Sequence, residues 1–276
     1  MRSSTAVTPP SVAFDQAIDE VAGLMRRASS ALFITGAGIS AESGLPTYRG
    51  VGGLYEKDLT GEGIPIEVAL SGPMFERRPE ITWRYMSLLE EACRHARPSE
   101  AHRMLAAIER RIARTWILTQ NVDGLHLAAG SRGVIEIHGN IHRERCPVGG
   151  HVALAWPDAD APRWSHPCPS CSLPMRPDVV LFGEALPTEA VATYSREVER
   201  GFDLVFSIGT TAAFPYISGP VIRAAREGVP TIEINPATTD LSDVVDFRFA
   251  STAKHALRAL WIAFKSKNVM ATRLGR

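Results

Sequence analysis

The apolar run Ala31-Leu32-Phe33-Ile34 leads directly into Thr35-Gly36-Ala37-Gly38-Ile39-Ser40-Ala41. A buried strand that ends in G-x-G-x-x-A predicts a tight turn in which the chain must pass close to another group, the way a dinucleotide-binding α/β unit opens. The helix that should follow is cut short by Gly44 and Pro46, and the stretch closes on Thr47-Tyr48-Arg49-Gly50.

Further apolar runs occur at "TWILTQ", "GVIEIH", "DVVLF", "LVFSIGT" and "TIEIN", with helical patterns such as "PSEAHRMLAAIERR", "TEAVATYSREVERG" and "SGPVIRAAREG" between most of them. This alternation predicts an α/β fold, a Rossmann-like doubly wound parallel sheet. Several runs end in polar or glycine residues: Thr35-Gly36, Gln120-Asn121, His138-Gly139, Gly209-Thr210-Thr211 and Asn235-Pro236. The carboxyl ends of parallel strands are where such sheets bind ligands, so these residues are expected around one crevice. Ahead of the first strand, Phe14, Ile18, Val21, Leu24 and Met25 recur at helical spacing, with Ser11 placed to cap the helix.

Residues 1–11 read as a flexible tail, and two segments break the alternation. Residues 51–100 are glycine-rich and then helical, while residues 142–178 are rich in Pro, Cys, His and Trp. Both are expected as insertions that build a second, smaller domain over the crevice, leaving 12–50, 101–141 and 179–265 to the Rossmann-like domain.

Thirty basic and thirty acidic residues cancel, so the overall field favours neither nucleic acid nor an anionic membrane. No apolar stretch is long enough to span a bilayer, and "MRSSTAVTPPS" carries no signal-type apolar region, which predicts a cytoplasmic protein. The four cysteines are too few for a disulfide framework; Cys168-Pro-Ser-Cys171 suggests metal or redox chemistry, and Cys93, in a helical pattern, a small buried apolar residue.

A hydride-transferring dehydrogenase would need an acidic residue about twenty positions beyond the first glycine, at the tip of a second strand. Glu56 and Asp58 stand near that distance, but "GLPTYRGVGGLYEKD" contains no strand pattern. A dinucleotide is therefore expected to be held in another way.

The series "GAGISAESGLPTYRG", "TQNVDGLH", "IHGN", "FGE", "GTT" and "NP", in that order across residues 36–236, resembles the sirtuin family of NAD-dependent protein lysine deacylases. The resemblance implies that NAD is consumed. The bond to nicotinamide breaks, the acyl oxygen of an acyl-lysine attacks ribose C1′, and the products are lysine, nicotinamide and O-acyl-ADP-ribose. It assigns His138 as the general base toward a ribose hydroxyl, a task suited to imidazole because its pKa lies near working pH. Asp123 would accept a hydrogen bond from the nicotinamide carboxamide, and Asn121 would orient ribose or an ordered water. His126 is left to packing or hydrogen bonding.

The same resemblance implies a cofactor site formed by Gly36, Ala37, Gly38, Glu42, Thr47, Tyr48, Arg49, Gln120, Asn121, Val122, Asp123, Gly209, Thr210, Thr211, Asn235, Pro236 and Ala253. The glycines would let backbone N–H groups approach the pyrophosphate, and "GLPTYRG" would fold over the nicotinamide ribose. Tyr48 stands where most sirtuins carry Phe, and Thr211 where Ser is usual. Acyl-lysine proteins or peptides are the implied partners, with no specific nucleic acid or membrane. Substrate would lie as an added strand against Val180, Phe182, Gly183 and Glu184. In sirtuins that prefer acidic acyl groups a Tyr and an Arg stand three residues apart on the small-domain helix. Met86 and Leu89 align there, although a shift could bring Arg84 or Tyr85 into the pocket. An apolar wall would leave a succinyl carboxylate unpaired, predicting acetyl or longer apolar acyl groups.

Sirtuins commonly hold structural zinc through two C-x-x-C pairs. Here Cys168 and Cys171 form one pair, while Cys146 has Gly149 at the partner position. Cys146, Cys168 and Cys171 could bind zinc with His142, His151 or His166 as a fourth ligand, or the segment could dispense with metal and pack Trp156, Trp164 and prolines. Two other functions stay open on the same scaffold: mono-ADP-ribosyl transfer or NAD hydrolysis, against which His138 speaks, and a non-catalytic NAD or acyl-lysine sensor, against which Asn121, Asp123 and His138 together speak.

Overall fold

The computed structural model describes residues 10–45, 60–148, 150, 152–154, 167–173 and 175–266. Helix α1 (Pro10–Arg27) leads to strand β1 (Ser30–Thr35) and two single 3-10 turns, Ala37–Ile39 and Ala41–Ser43. Helices α2 (Ile66–Ala69), α3 (Gly72–Arg77), α4 (Pro79–His95) and α5 (Glu100–Glu109) follow, then β2 (Arg114–Thr119), α6 (Leu125–Ala128) and β3 (Val134–Glu136). Strands β4 (Gly139–Arg145), β5 (Val152–Leu154) and β6 (Arg176–Val179) come next. The chain finishes with α7 (Thr188–Glu199), β7 (Leu204–Ile208), α8 (Pro215–Arg226), β8 (Thr231–Ile234), β9 (Phe247–Phe249) and α9 (Ala253–Lys265).

The main sheet has the order β3-β2-β1-β7-β8-β9, every neighbouring pair parallel. Counted along the chain within this sheet, the order is that of a doubly wound Rossmann sheet, and its direction reverses between β1 and β7. Strand β1 is buried along its whole length, and its side chains alternate between two cores. Phe33 faces α1, α5 and α9 with Phe206, Ile117 and Ile232, whereas Leu32 and Ile34 face α8 with Val205, Ile217 and Val221. The Phe33 and Phe206 rings stack with centroids 4.7 Å apart. Each such fully buried side chain contributes about 1.5–3 kcal/mol relative to exposure.

Three elements differ from the sequence expectation. The run "DVVLF" gives only its first two residues, Asp178 and Val179, to β6, which pairs with β4 in a separate three-stranded antiparallel sheet, β5-β4-β6, instead of the main one. Apolar character marks a buried strand but not its partner. Strand β9 adds a sixth main-sheet strand too short to show a pattern, and α1 begins at Pro10, so Ser11 lies inside the helix instead of capping it.

The segment around α2–α4 packs on the second sheet through Ile66, Ile81, Met86, Ile141, Val179 and Leu181. A short parallel bridge ties it down: Phe182 donates its N–H to Leu70 O (2.9 Å) and accepts from Gly72 N–H (3.0 Å). Gly139 marks the point where the chain leaves the main sheet. Its φ is +83°, and a Cβ there would sit 1.9 Å from Asp178 O, so only glycine fits between β4 and β6. No described helix is long and apolar enough to cross a membrane.

Candidate active site at the strand switch point

The β1 and β7 loops touch backbone to backbone. A Cβ on Gly36 would lie 2.6 Å from Thr210 Cβ, and one on Gly38 would lie 2.7 Å from Gly209 Cα, while Gly209 itself has φ +59°. Gly36 N–H donates to Ile208 O (3.1 Å) and Gly38 N–H to Gly209 O (2.9 Å). The glycines are thus required first by loop packing, and these two amides are engaged within the fold.

Behind this contact lies a buried polar cluster. The Ser40 hydroxyl donates to Asp123 Oδ2 at 2.6 Å and accepts from Asn121 Nδ2 at 3.1 Å. Asn121 Nδ2 also donates to Gly36 O (3.0 Å), and Leu125 N–H donates to Asp123 Oδ1 (2.9 Å). Asp123 is 6% exposed; burial pushes its pKa above the ordinary value, against the pull of the Ser40 and Leu125 hydrogen bonds. Val122 accepts from Ile141 N–H and packs toward the small core. Beneath them, His126 Nε2 meets Thr35 Oγ1 (2.9 Å) and His102 Nδ1 meets Ser99 Oγ (2.8 Å), the two rings edge to face at 4.7 Å. His126 Nδ1 is buried without a partner among the described residues. Ser40 was missed in the sequence because a serine inside a glycine turn has no pattern of its own.

His138 sits at the end of the β3 segment. Its Nδ1 lies 2.9 Å from Gln120 O and its Nε2 2.7 Å from Tyr216 Oη. A carbonyl can only accept, so Nδ1 carries the proton and Nε2 presents a lone pair. Burial lowers the His138 pKa, with the Gln120 carbonyl opposing it, which keeps the ring neutral.

The remaining cofactor candidates border the same loops. Gln120 Nε2 donates to Thr210 Oγ1 (2.7 Å), and Asn235 Nδ2 donates to Thr210 O (3.0 Å) while Asn235 Oδ1 accepts from Ala237 N–H (3.1 Å). Ala37 is half-buried, and Thr211 and Pro236 are exposed. Ala253 is the buried first residue of α9, whose Lys254 approaches the exposed Glu42 at 3.8 Å. Thr47, Tyr48 and Arg49 lie outside the described residues.

Of the residues expected to bind substrate, Val180 has its N–H engaged with His138 O (2.9 Å), and the Phe182 main chain pairs with Leu70 and Gly72 as described. The Glu184 carboxylate is held by Arg176, by Arg145 (3.1 Å) and by Leu181 N–H (2.9 Å). Its side chain therefore braces its own loop; burial would raise its pKa, but Arg176 and the Leu181 amide bring it below the ordinary value. Gly183, at φ +83°, forms the turn. Met86 is buried in the small core and Leu89 packs against it, while Tyr85 donates to Glu62 Oε2 (2.5 Å) and Arg84 pairs with the same carboxylate.

The Sγ atoms of Cys146, Cys168 and Cys171 lie within 4.8 Å of one another, Cys146 and Cys171 at 3.5 Å. The Cys168 turn is closed by Cys168 N–H to Leu173 O and Ser172 N–H to Cys168 O. Thiolates about 2.3 Å from one zinc stand at such separations, so the set fits three corners of a tetrahedral site. His142 is not a fourth corner: its Nε2 bonds Asp123 O (3.1 Å), on the side of the polar cluster. His151, His166, Gly149, Trp156 and Trp164 lie outside the described residues. Cys93 is buried, its thiol pushed up to about 12 by burial and the nearby Asp123 charge, which leaves it inert.

The fold and site define an NAD-type α/β enzyme scaffold with an inserted small domain, and the comparisons agree. Residues 36–214 match the Sir2 family. The chain is 46% identical to the NAD-dependent protein deacylase 2 of Pseudomonas aeruginosa, over 86% of this chain and 93% of that protein. It is 35% identical to the NAD-dependent protein deacylase of Aquifex aeolicus, over 85% and 95%. Among solved structures, a Sir2 homologue–NAD complex superposes with a TM-score of 0.78 at 32% identity, covering 89% of this chain and 93% of that one. A Sir2 protein with a deacetylated p53 peptide and 3′-O-acetyl-ADP-ribose gives 0.75 at 26%, covering 88% and 96%. The chain belongs to the Sir2 family, the sirtuins.

Proposed function

We propose that this protein is an NAD-dependent protein lysine deacylase with His138 as its general base. The observation that carries the assignment of the base is its locked tautomer. Gln120 O holds the proton on Nδ1, which leaves Nε2 as the hydrogen-bond acceptor at the carboxyl edge of the sheet. NAD, when bound, supplies the ribose carbon that accepts the acyl oxygen and the nicotinamide that leaves.

Every other contribution comes from the chain. The β1–β7 loop contact, fixed by Gly36, Gly38 and Gly209, forms the floor for the pyrophosphate, and Thr210 with Asn235 borders the adenosine end. Ser40 and Asn121 orient the Asp123 carboxylate, whose remaining lone pairs suit a carboxamide N–H. The half-buried His138 takes a proton from a ribose hydroxyl through Nε2. Acyl-lysine peptide runs past Val180 and Gly183, with main-chain pairing left to groups other than the engaged amides of Val180 and Phe182. Cys146, Cys168 and Cys171 would hold a structural zinc, which would secure the end of the small sheet.

Nicotinamide release should require an acetyl-lysine peptide, yield O-acetyl-ADP-ribose and fall at least about a hundredfold in His138→Ala, the usual scale of general-base loss. Equal release from NAD alone would instead make the protein an NAD hydrolase or ADP-ribosyltransferase. Because Met86 and Leu89 are apolar and Arg84 is already paired with Glu62, acetyl-lysine should be cleaved faster than succinyl-lysine. A reversed order in parallel assays would remove the pocket assignment.

A further inference from the structure

The nitrogen through which His138 would act already has a partner on another element. Tyr216, in the first turn of α8, places its Oη 2.7 Å from His138 Nε2. Gln120 O fixes the proton on Nδ1, so the phenol must be the donor and the base's lone pair the acceptor. The ring does not reach this position by chance packing alone. Tyr216 stacks on Phe214 at 5.4 Å and 14°, and both rings meet the imidazole edge to face, at 6.0 and 5.9 Å. Pro215 fixes the backbone between them at the start of the helix.

We propose that Tyr216 is a positioning residue that masks the general base: its hydroxyl holds His138 Nε2 and must be displaced by the ribose hydroxyl before the proton can be taken. The inference rests on His138 being the base. One lone pair cannot accept two hydroxyl protons, so the phenol and the ribose compete for it. Among the described residues, the groups facing the imidazole are the Gln120 carbonyl from the end of β2, the Tyr216 phenol from α8 and the Phe214 ring. Hydrogen-bonded carboxylates and cations are absent from that set, so the neutral phenol is the group that meets Nε2 directly. Burial raises the Tyr216 pKa, so the phenol stays protonated and remains a donor. Phe214 is 39% exposed, so the stacked pair borders solvent on that side.

Tyr216→Phe keeps the stacking and removes only the hydroxyl. A donor on Nε2 favours the neutral ring, so in the variant His138 should titrate at higher pH, read directly by NMR of labelled imidazole without turnover. With the competitor gone, KM for NAD should fall roughly two- to tenfold, the worth of one neutral hydrogen bond, while kcat stays within about twofold. An unchanged His138 titration would overturn the contact. A kcat loss of about tenfold or more at constant KM would overturn masking and make the phenol a participant in proton transfer. Failure of the base assignment would show separately, as full activity in His138→Ala.

Discussion

Ser40 joins two of the residues that the motifs single out, through one hydroxyl. It donates to the buried Asp123 carboxylate and receives the Asn121 amide, so neither group can be reoriented without breaking its bond. Ser40→Ala should cost about 1–3 kcal/mol of stability, the price of leaving a buried polar partner unsatisfied. It should also raise the Asp123 pKa further, since a donor to the charged form is lost. Thermal unfolding together with kcat/KM for NAD checks both; a drop in kcat/KM of roughly tenfold is expected, and an unchanged value would place Asp123 outside nicotinamide recognition. Asn121, Asp123 and His138 were legible because each stands in a motif at a strand end. Ser40 and Tyr216 were not, since their importance comes from distances across the fold, to residues just past β2 and β3 that are far away in sequence.

Two elements meet where the sheet changes direction, and glycine is the only residue thin enough for that meeting. Gly38→Ala would force a Cβ to 2.7 Å from Gly209 Cα, backbone that cannot swing aside. The loops should part, with a stability loss of about 2 kcal/mol or more and NAD binding weakened at least tenfold by roughly the same energy. Gly44→Ala is a control of a different kind: its Cβ would meet nothing, so only the positive φ would be strained. At the far end, the Cys146–Cys168–Cys171 turn packs, among the described residues, in a small apolar cluster with Met175. Protein purified without added zinc should hold close to one equivalent, and Cys168→Ser should lose it and lower Tm while leaving main-sheet hydrogen exchange unchanged. Under a tenth of an equivalent in the unaltered protein would show that the thiols pack without metal.

Across the molecule, two buried histidines should contribute to the loss of stability in acid. Burial, with Arg103 adding to it, pushes His102 down to about 4, and burial with His102 beside it pushes His126 well below its ordinary value. Both pKa values are lower in the folded chain than in the unfolded one. Between roughly pH 6.5 and 4 the unfolded state therefore binds more protons, and stability rises with pH in that window. Their contribution is fully present above the unfolded value and is lost as pH falls through it toward the folded one. Tm measured from pH 7 to 4 should drop steadily, and His126→Gln should flatten the slope; an equal slope in the variant would assign acid loss to other groups. The two rings contact Thr35 and Ser40 (2.9 and 3.5 Å).

The sequence by itself determined what is local or periodic: the alternation that makes a doubly wound sheet, the strand ends that carry His138, Asn121 and Asp123, and the glycines that mark a close approach. Those features follow from hydrophobic period and backbone sterics, which act within a few residues. Tertiary structure decided which partner each group met. It sent the start of "DVVLF" to an antiparallel sheet, gave His142 to Asp123 O instead of the cysteines, and turned Glu184 inward onto Arg176. It also set Tyr216 on His138. Each of these is a pairing between segments separated by long stretches of chain or by a turn of unknown path, and hydrogen bonds and ion pairs of that kind are fixed only when the whole sheet is assembled.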